Sequence, residues 1–425
     1  MHRTSQWCAK AAVLSAVLAV ACTPRTTVND SPQPGVAVEV SITPRSATLA
    51  PNAVLAFQAD VSGASDSAVA WSASCGSITA AGLYRAPAAA ATCTVSVTSH
   101  ADPTRTATAT VDVVATVAPW RPFSAGSPWN TPLPTDPVLA PDSAALVADF
   151  MNSSPYGVHL DVNISGYSIP LYWADGATPT HTVIASLGGE GWTSIDGTQA
   201  TATMPIPVGA VPDPLGDHHL LVVDRQRNLE WGCWNMTESA GKWSAGVCAI
   251  ADLNGTGVRT PVTQARPWYL AVGARACGFP LVAGLIRTEE IAAGRIDHAL
   301  VVAYPHVRAG VFTSPASTAQ ARVGDDAIST RGIPCGGRLQ FDPSVNLDAL
   351  DLSRSGRIIM RALQEYGAYV GDYSGALTLY AENSAAAQAF WSTGVLQMYE
   401  LLGRIDMARC RVIEIGTLHD NGNGN

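Results

Sequence analysis

The chain has 425 residues, of which 47% are hydrophobic and only 14% charged, and it carries a net charge of −9. That length supports more than one packed core, and the composition excludes an intrinsically disordered chain. The acidic balance, with no dense Lys/Arg cluster, argues against nucleic acid and an anionic membrane surface as partners.

Arg3 and Lys10 precede or flank an apolar run over 11–21 that closes on Ala19-Val20-Ala21-Cys22. The run has the length of a signal-peptide core and is too short to span a bilayer. Segment 1–22 resembles a bacterial lipoprotein signal peptide with Cys22 as the lipid acceptor, although Ala19 stands where leucine is usual. The resemblance implies an extracytoplasmic protein, anchored at the outer membrane or cell surface through a lipid on Cys22. Cleavage after Ala21 without acylation gives a secreted protein instead. Later apolar stretches are shorter than a membrane helix, so any membrane contact rests on that lipid. Residues 23–35, with Pro24, Pro32, Pro34 and Gly35, read as a disordered tether.

From 36 to 114, short β-prone runs such as Val54-Leu55-Ala56-Phe57, Val69-Ala70-Trp71 and Cys93-Thr94-Val95-Ser96-Val97 alternate with turn residues. That spacing predicts a β-sandwich. Ile42-Thr43-Pro44, Trp71-Ser72, Gly76-Ser77-Ile78-Thr79, Gly82-Leu83-Tyr84 and Ala101-Asp102-Pro103 resemble bacterial Ig-like domains of the group 2 type. The resemblance implies a spacer or adhesion module without chemistry, with Trp71 as core tryptophan and Tyr84 at a strand edge. Residues 115–135 form a Pro-rich linker. Its Trp120, Phe123 and Trp129 could form a sugar platform, but packing onto the next domain is the favoured reading.

Residues 136–416 read as one large β-rich unit, followed by a flexible tail over 417–425. Helical periodicity marks 142–151, 288–293, 353–369 and 385–402, with Ile358, Ile359, Ala362, Leu363 and Tyr366 as the clearest stripe. Strand-like runs cover 168–173, 181–184, 219–223, 229–234, 299–304, 338–341, 376–380 and 412–415. The fold class is therefore mainly β: an Ig-like sandwich, then a larger β-sandwich or jelly-roll-like domain with a few packed helices. Ser127-Pro128-Trp129-Asn130, Gly216-Asp217-His218-His219-Leu220, Gly294-Arg295-Ile296-Asp297-His298-Ala299-Leu300 and Leu379-Tyr380-Ala381-Glu382 resemble an uncharacterised family of secreted bacterial proteins. That resemblance implies an extracellular domain and no particular activity.

Of nine cysteines, Cys8 leaves with the signal peptide and Cys22 takes the lipid. The remainder face an oxidising compartment, where pairing is expected. Cys75 and Cys93 share the small module, and Cys233 and Cys248 flank a turn-like stretch. Among Cys277, Cys335 and Cys410 the favoured pair is Cys277–Cys335, but spacing alone leaves the connectivity open. CxxC, HxxxH, HExxH and EF-hand spacings are absent, as are P-loop and dinucleotide fingerprints, so neither metal nor cofactor is expected.

The candidate chemistry lies at strand ends. Alternation places His218, Leu220, Val222 and Asp224 on one face of a strand and His219, Leu221 and Val223 on the other. A histidine within an apolar face requires partners for its ring nitrogens. His219 beside Asp217, and His298 beside Asp297, supply imidazole–carboxylate pairs for general acid–base work, with Asp217, Asp224 and Asp297 as the orienting carboxylates. Glu230 on an aromatic strand with Trp231, and Glu190 beside Trp192, are alternative glycosidase acids. Arg287 and Tyr366 complete the set as a substrate clamp and a sugar contact. Each motif is equally accounted for by strand-end hydrogen bonding, and the tryptophans by burial in a core. The sequence thus points to a surface-held protein whose large domain binds or cleaves a polysaccharide, as lyase or glycoside hydrolase. The competing reading is a non-catalytic adhesion or cell-envelope structural protein. The expected partner is an extracellular glycan or cell-envelope component.

Overall fold

The computed structural model describes residues 37–113, 119–188, 192, 200–263, 273–319, 331–401 and 403–420. Segment 1–22 with Cys22, the tether 23–35 and Glu190 lie outside the described residues. The described chain is mainly β, with several sheets and a few short helices.

A small β module occupies residues 39–113. Ser46–Leu49, Thr106–Val113, Ala91–Ser99 and Val69–Ala73 form a four-stranded sheet in that order, and two smaller sheets complete the module. Along Thr106–Val113 Ala109, Val111 and Val113 are buried and their neighbours Thr108, Thr110 and Asp112 exposed, as a one-sided strand requires. Cys75 and Cys93 are joined by a disulfide. Tyr84 was expected at a strand edge and Trp71 in the core; their places are exchanged. Tyr84 is fully buried beside Phe57, and its hydroxyl donates to the Cys75 carbonyl. Trp71 lies on Val69–Ala73, an outer strand of its sheet, and is only partly buried.

The large unit spans residues 119–420. Its six-stranded sheet runs Leu160–Asn163, Leu377–Tyr380, Leu300–Tyr304, Ala368–Tyr373, Arg338–Phe341 and Cys410–Val412 in spatial order. A four-stranded sheet runs Leu171–Ala174, Leu220–Asp224, Leu229–Trp234 and Val247–Asp252. A second four-stranded sheet contains Thr180–Ala185 and Lys242–Ala245. Leu160–Asn163 runs parallel to Leu377–Tyr380, Leu300–Tyr304 to Ala368–Tyr373, and Leu171–Ala174 to Leu220–Asp224. A jelly roll is built from antiparallel strands, so these parallel pairs depart from the expected jelly-roll architecture.

The strand alternation read from sequence divides two cores. Leu221 and Val223 enter the core shared with the six-stranded sheet, whereas Leu220 and Val222 enter the core shared with Val183, Met204 and Trp243. All five residues of Leu220–Asp224 are consequently buried, as in strands covered on both faces. Helix Arg354–Glu365 begins at Ser353, whose Oγ accepts the Gly356 amide, and buries Ile358, Ile359, Ala362 and Leu363. The helix expected over 385–402 stops as a regular helix at Phe390, and Gly394 with φ 80° breaks the following turns.

Two expected boundaries move. Trp129, assigned to a linker, is 1% exposed and stands edge-on to Phe279 and Tyr369 in the large core. Asn130 Nδ2 donates to the carbonyls of Pro122, Phe123 and Ser124, folding the segment after 119 onto the large unit. Within the expected tail, His419–Asp420 pairs with Arg308–Phe312. Disulfides Cys233–Cys248 and Cys277–Cys335 are formed and Cys410 is free. Three disulfides mark an extracytoplasmic protein.

Candidate functional site

The entry to strand Leu220–Asp224 carries Asp217, His218 and His219. His218 has φ 44°, a left-handed conformation uncommon for a non-glycine residue, and its Nδ1 lies 2.8 Å from the Asp213 carbonyl oxygen. The Asp213 carboxylate accepts the amides of Tyr167, Ser168 and Leu215 and the side-chain amide of Asn383. These bonds tie the turn to the end of the six-stranded sheet, so Asp217 and His219 stand on a fixed base.

His219 is 3% exposed, with Nε2 3.2 Å from the Ala274 carbonyl oxygen. A carbonyl only accepts, so Nε2 carries the proton. Burial, aided by Arg275, depresses the imidazole against the opposing pull of Asp217. The ring is therefore neutral near pH 7, and its Nδ1 lone pair has no hydrogen-bond partner. Arg275 is 2% exposed; its guanidinium carbon lies 4.6 Å from the Tyr380 ring centre and Nη2 donates to the Leu281 carbonyl. Its Nε has no partner.

Asp372 comes from the other sheet, on strand Ala368–Tyr373, and is half-buried. Burial and the charge of Asp217 lift its carboxyl to about 7, against the pull of Arg275 and the Tyr373 and Ala276 amides. Tyr380 is buried beside it, and burial together with Asp372 pushes its phenol well above the usual range. Trp234 Nε1 donates to Asp217 Oδ1 at 3.4 Å. The cluster thus joins a carboxyl protonated near neutrality, a second carboxyl, a neutral imidazole with a free lone pair and a buried guanidinium. Divergent environments for neighbouring acids are the usual basis of an acid–base division of labour.

Segment 273–286 holds the cluster together across both sheets. The Cys277 amide donates to the Gly371 carbonyl, and Ile286 pairs with Ala381. A Cβ on Gly371 would stand 2.6 Å from Val301 Cγ1 and 2.9 Å from Phe279, so only glycine admits this approach beside Asp372. Glu230 accepts the Leu281 and Val282 amides at 2.6 and 3.2 Å. At 1% exposure it positions the segment that carries Arg275 and is not a sugar-facing acid.

The remaining expected site residues fall elsewhere. His219 and His298 do not share partners: His298 Nε2 lies 2.9 Å from Glu290 Oε1 and Nδ1 2.9 Å from the Ala299 carbonyl oxygen. Asp224 closes the turn at the opposite end of its strand, accepting the Gln226 and Arg227 amides and Arg227 Nε. Burial works to raise the Asp224 carboxyl, and the Arg227 bonds outweigh it and hold it low. Asp297 pairs with Arg295, and burial and the Asp297 charge raise the nearby Tyr366 phenol. Arg287 is buried between Glu289 and Glu290. Trp192 and Trp231 belong to the hydrophobic core that Leu220 and Val222 share with Val183 and Met204. Arg275, Asp372 and Tyr380 were not singled out from sequence. Of the three, only Asp372 carries a local signal, a polar residue next to Gly371 in an otherwise apolar run.

Two raised acids have a consequence for stability. Asp372 and Glu382 are each lifted to about 7, by burial above all. Unfolded carboxyls titrate near about 4, so from about pH 4 to 7 the native state holds protons that the unfolded chain has released. Their contribution to stability therefore falls as pH rises through that window. The drop in thermal midpoint from pH 5 to pH 8 is expected to be smaller in Asp372→Asn/Glu382→Gln than in the parent. An equal or larger drop in the variant contradicts the assignment.

No protein-family model matches the chain, and no curated protein is significantly similar to it.

Proposed function

We propose that the large unit binds and hydrolyses an extracellular polysaccharide at the Asp217–His219–Arg275–Asp372–Tyr380 cluster. The observation that supports this reading best is the Asp372 carboxyl, held at about 7 beside a second carboxyl, Asp217. The protonated Asp372 gives its proton to the glycosidic oxygen as the bond to the anomeric carbon breaks. Asp217 takes a proton from the water that attacks that carbon. Trp234, hydrogen-bonded to Asp217 and only partly buried, supplies an aromatic face for a sugar ring. The small module serves as an Ig-like spacer, and a lipid on Cys22 holds the protein at the cell surface.

The test is a panel of polysaccharides incubated with the purified protein. New reducing ends without an unsaturated-uronate absorbance support hydrolysis. The absorbance itself indicates elimination, with His219 Nδ1 as the base. A second reading, a non-catalytic adhesin, is favoured by the near-complete burial of His219, Arg275 and Tyr380. Binding without turnover across the panel selects it.

A further inference from the structure

The small module and the large unit border two cavities of about 460 and 220 Å³. The larger has the size of a small-molecule site. Trp173, Leu55, Thr288 and Glu382 line both, and Trp71 and Phe390 add apolar wall to the larger. None of these residues belongs to the Asp217–Asp372 cluster.

The charges along the smaller cavity select against an ion. Arg287 Nη2 lies 2.7 Å from Glu290 Oε1 and its Nε 3.2 Å from Glu289 Oε1, while Arg225 Nη2 lies 2.7 Å from Glu289 Oε2. Asp175 adds a further negative charge. An anion therefore meets no surplus cation, and a cation meets two guanidinium groups. Arg287 is nevertheless 1% exposed with Nη1 lacking any partner. A buried donor without an acceptor is costly, and a ligand oxygen that shifts the lining enough to reach it supplies one. Glu382 is 5% exposed and accepts the Thr288 amide at 2.6 Å. A hydroxyl-rich molecule with apolar ring faces fits both the unused donor and the aromatic walls.

We infer that this cleft binds a neutral oligosaccharide, with a sugar oxygen accepting from Arg287 and ring faces lying on the aromatic walls. The inference rests on the glycan-directed reading of the large unit but uses separate residues. Burial, with the Glu289 charge, keeps Glu382 protonated up to about pH 7. The charged groups facing it are Glu289, Arg287, Arg225 and Asp175; the small module lines the cavities with uncharged residues. Ionisation of Glu382 beside Glu289 then removes a donor from the cleft, so binding weakens above that pH.

The full chain is titrated with cellohexaose and maltohexaose by calorimetry at pH 6 and pH 8. At least one sugar is expected to bind, more tightly at pH 6. Ala386→Trp, which fills the larger cavity, and Trp71→Ala, on the opposite wall, each weaken binding at least tenfold. Glu382→Gln removes the difference between the two pH values. Failure of both sugars to bind, or parent-like affinity in both wall variants, overturns the inference. Asp372→Asn separates the two sites. If it abolishes cleavage while the wall variants bind as the parent does, the cleft fails and the catalytic reading stands. If no polysaccharide is cleaved but the wall variants lose binding, the cleft stands alone.

Discussion

Serine in place of both Cys277 and Cys335 is expected to lower stability by about 4 kcal/mol. The bond spans a sequence separation of 58, and the chain entropy it removes from the unfolded state grows with the logarithm of loop length. Its effect extends to the candidate site, because Cys277 is two residues from Arg275 and its amide is bonded to Gly371, next to Asp372. Urea unfolding reads the stability loss as a lower midpoint, provided the parent is kept oxidised. An unchanged midpoint would mean that the Glu230 bonds to Leu281 and Val282 hold the segment without the cross-link.

Under the proposed hydrolysis, Asp372→Asn is expected to reduce turnover of the polysaccharide by roughly 10²–10⁴-fold, the usual contribution of a general acid, with substrate affinity retained. Asparagine has nearly the same shape but cannot deliver the proton. Under the proposed hydrolysis only protonated Asp372 is active, so parent turnover is expected to fall as pH rises through about 7. Asp217→Asn removes a charge that lifts Asp372 and moves that fall to lower pH, in addition to slowing turnover. A steady-state pH profile of the parent and both variants checks these points. Turnover in Asp372→Asn within threefold of the parent would falsify the role of Asp372.

The parts of the architecture legible in sequence are those with strong local periodicity. The split of Leu221 and Val223 from Leu220 and Val222 between two cores follows from the two-residue repeat alone. The Arg354–Glu365 helix was legible from its apolar stripe, although the expected span 353–369 runs on into strand Ala368–Tyr373. Strand Ala368–Tyr373 was not. Its sequence, Ala-Tyr-Val-Gly-Asp-Tyr, contains glycine and aspartate, which are depleted in strands, and it follows a helix after a single glycine turn. That strand carries Asp372, so the missing element concealed the carboxyl at the centre of the candidate site. Arg275 lies in an aperiodic segment whose course is set by a distant glutamate and a disulfide, which no local pattern reports. His219 and His298 looked equivalent because each stands beside an aspartate at a strand entrance. Tertiary partners separate them: Ala274 takes one imidazole and Glu290 the other.

Segment 273–286 acts as a gauge block between two sheets. Asp217 and His219 stand at the entry to a strand of one sheet, and Asp372 and Tyr380 on strands of the other. Their spacing is therefore set by the core between the sheets, through the lengths of the bonds this segment makes to each. Volume added in the core between the sheets, at Val223 for example, would spread the sheets and change the spacing of the cluster while the protein remains folded. Disturbance of the cluster ahead of loss of structure is thus the expected consequence of how the two halves are joined.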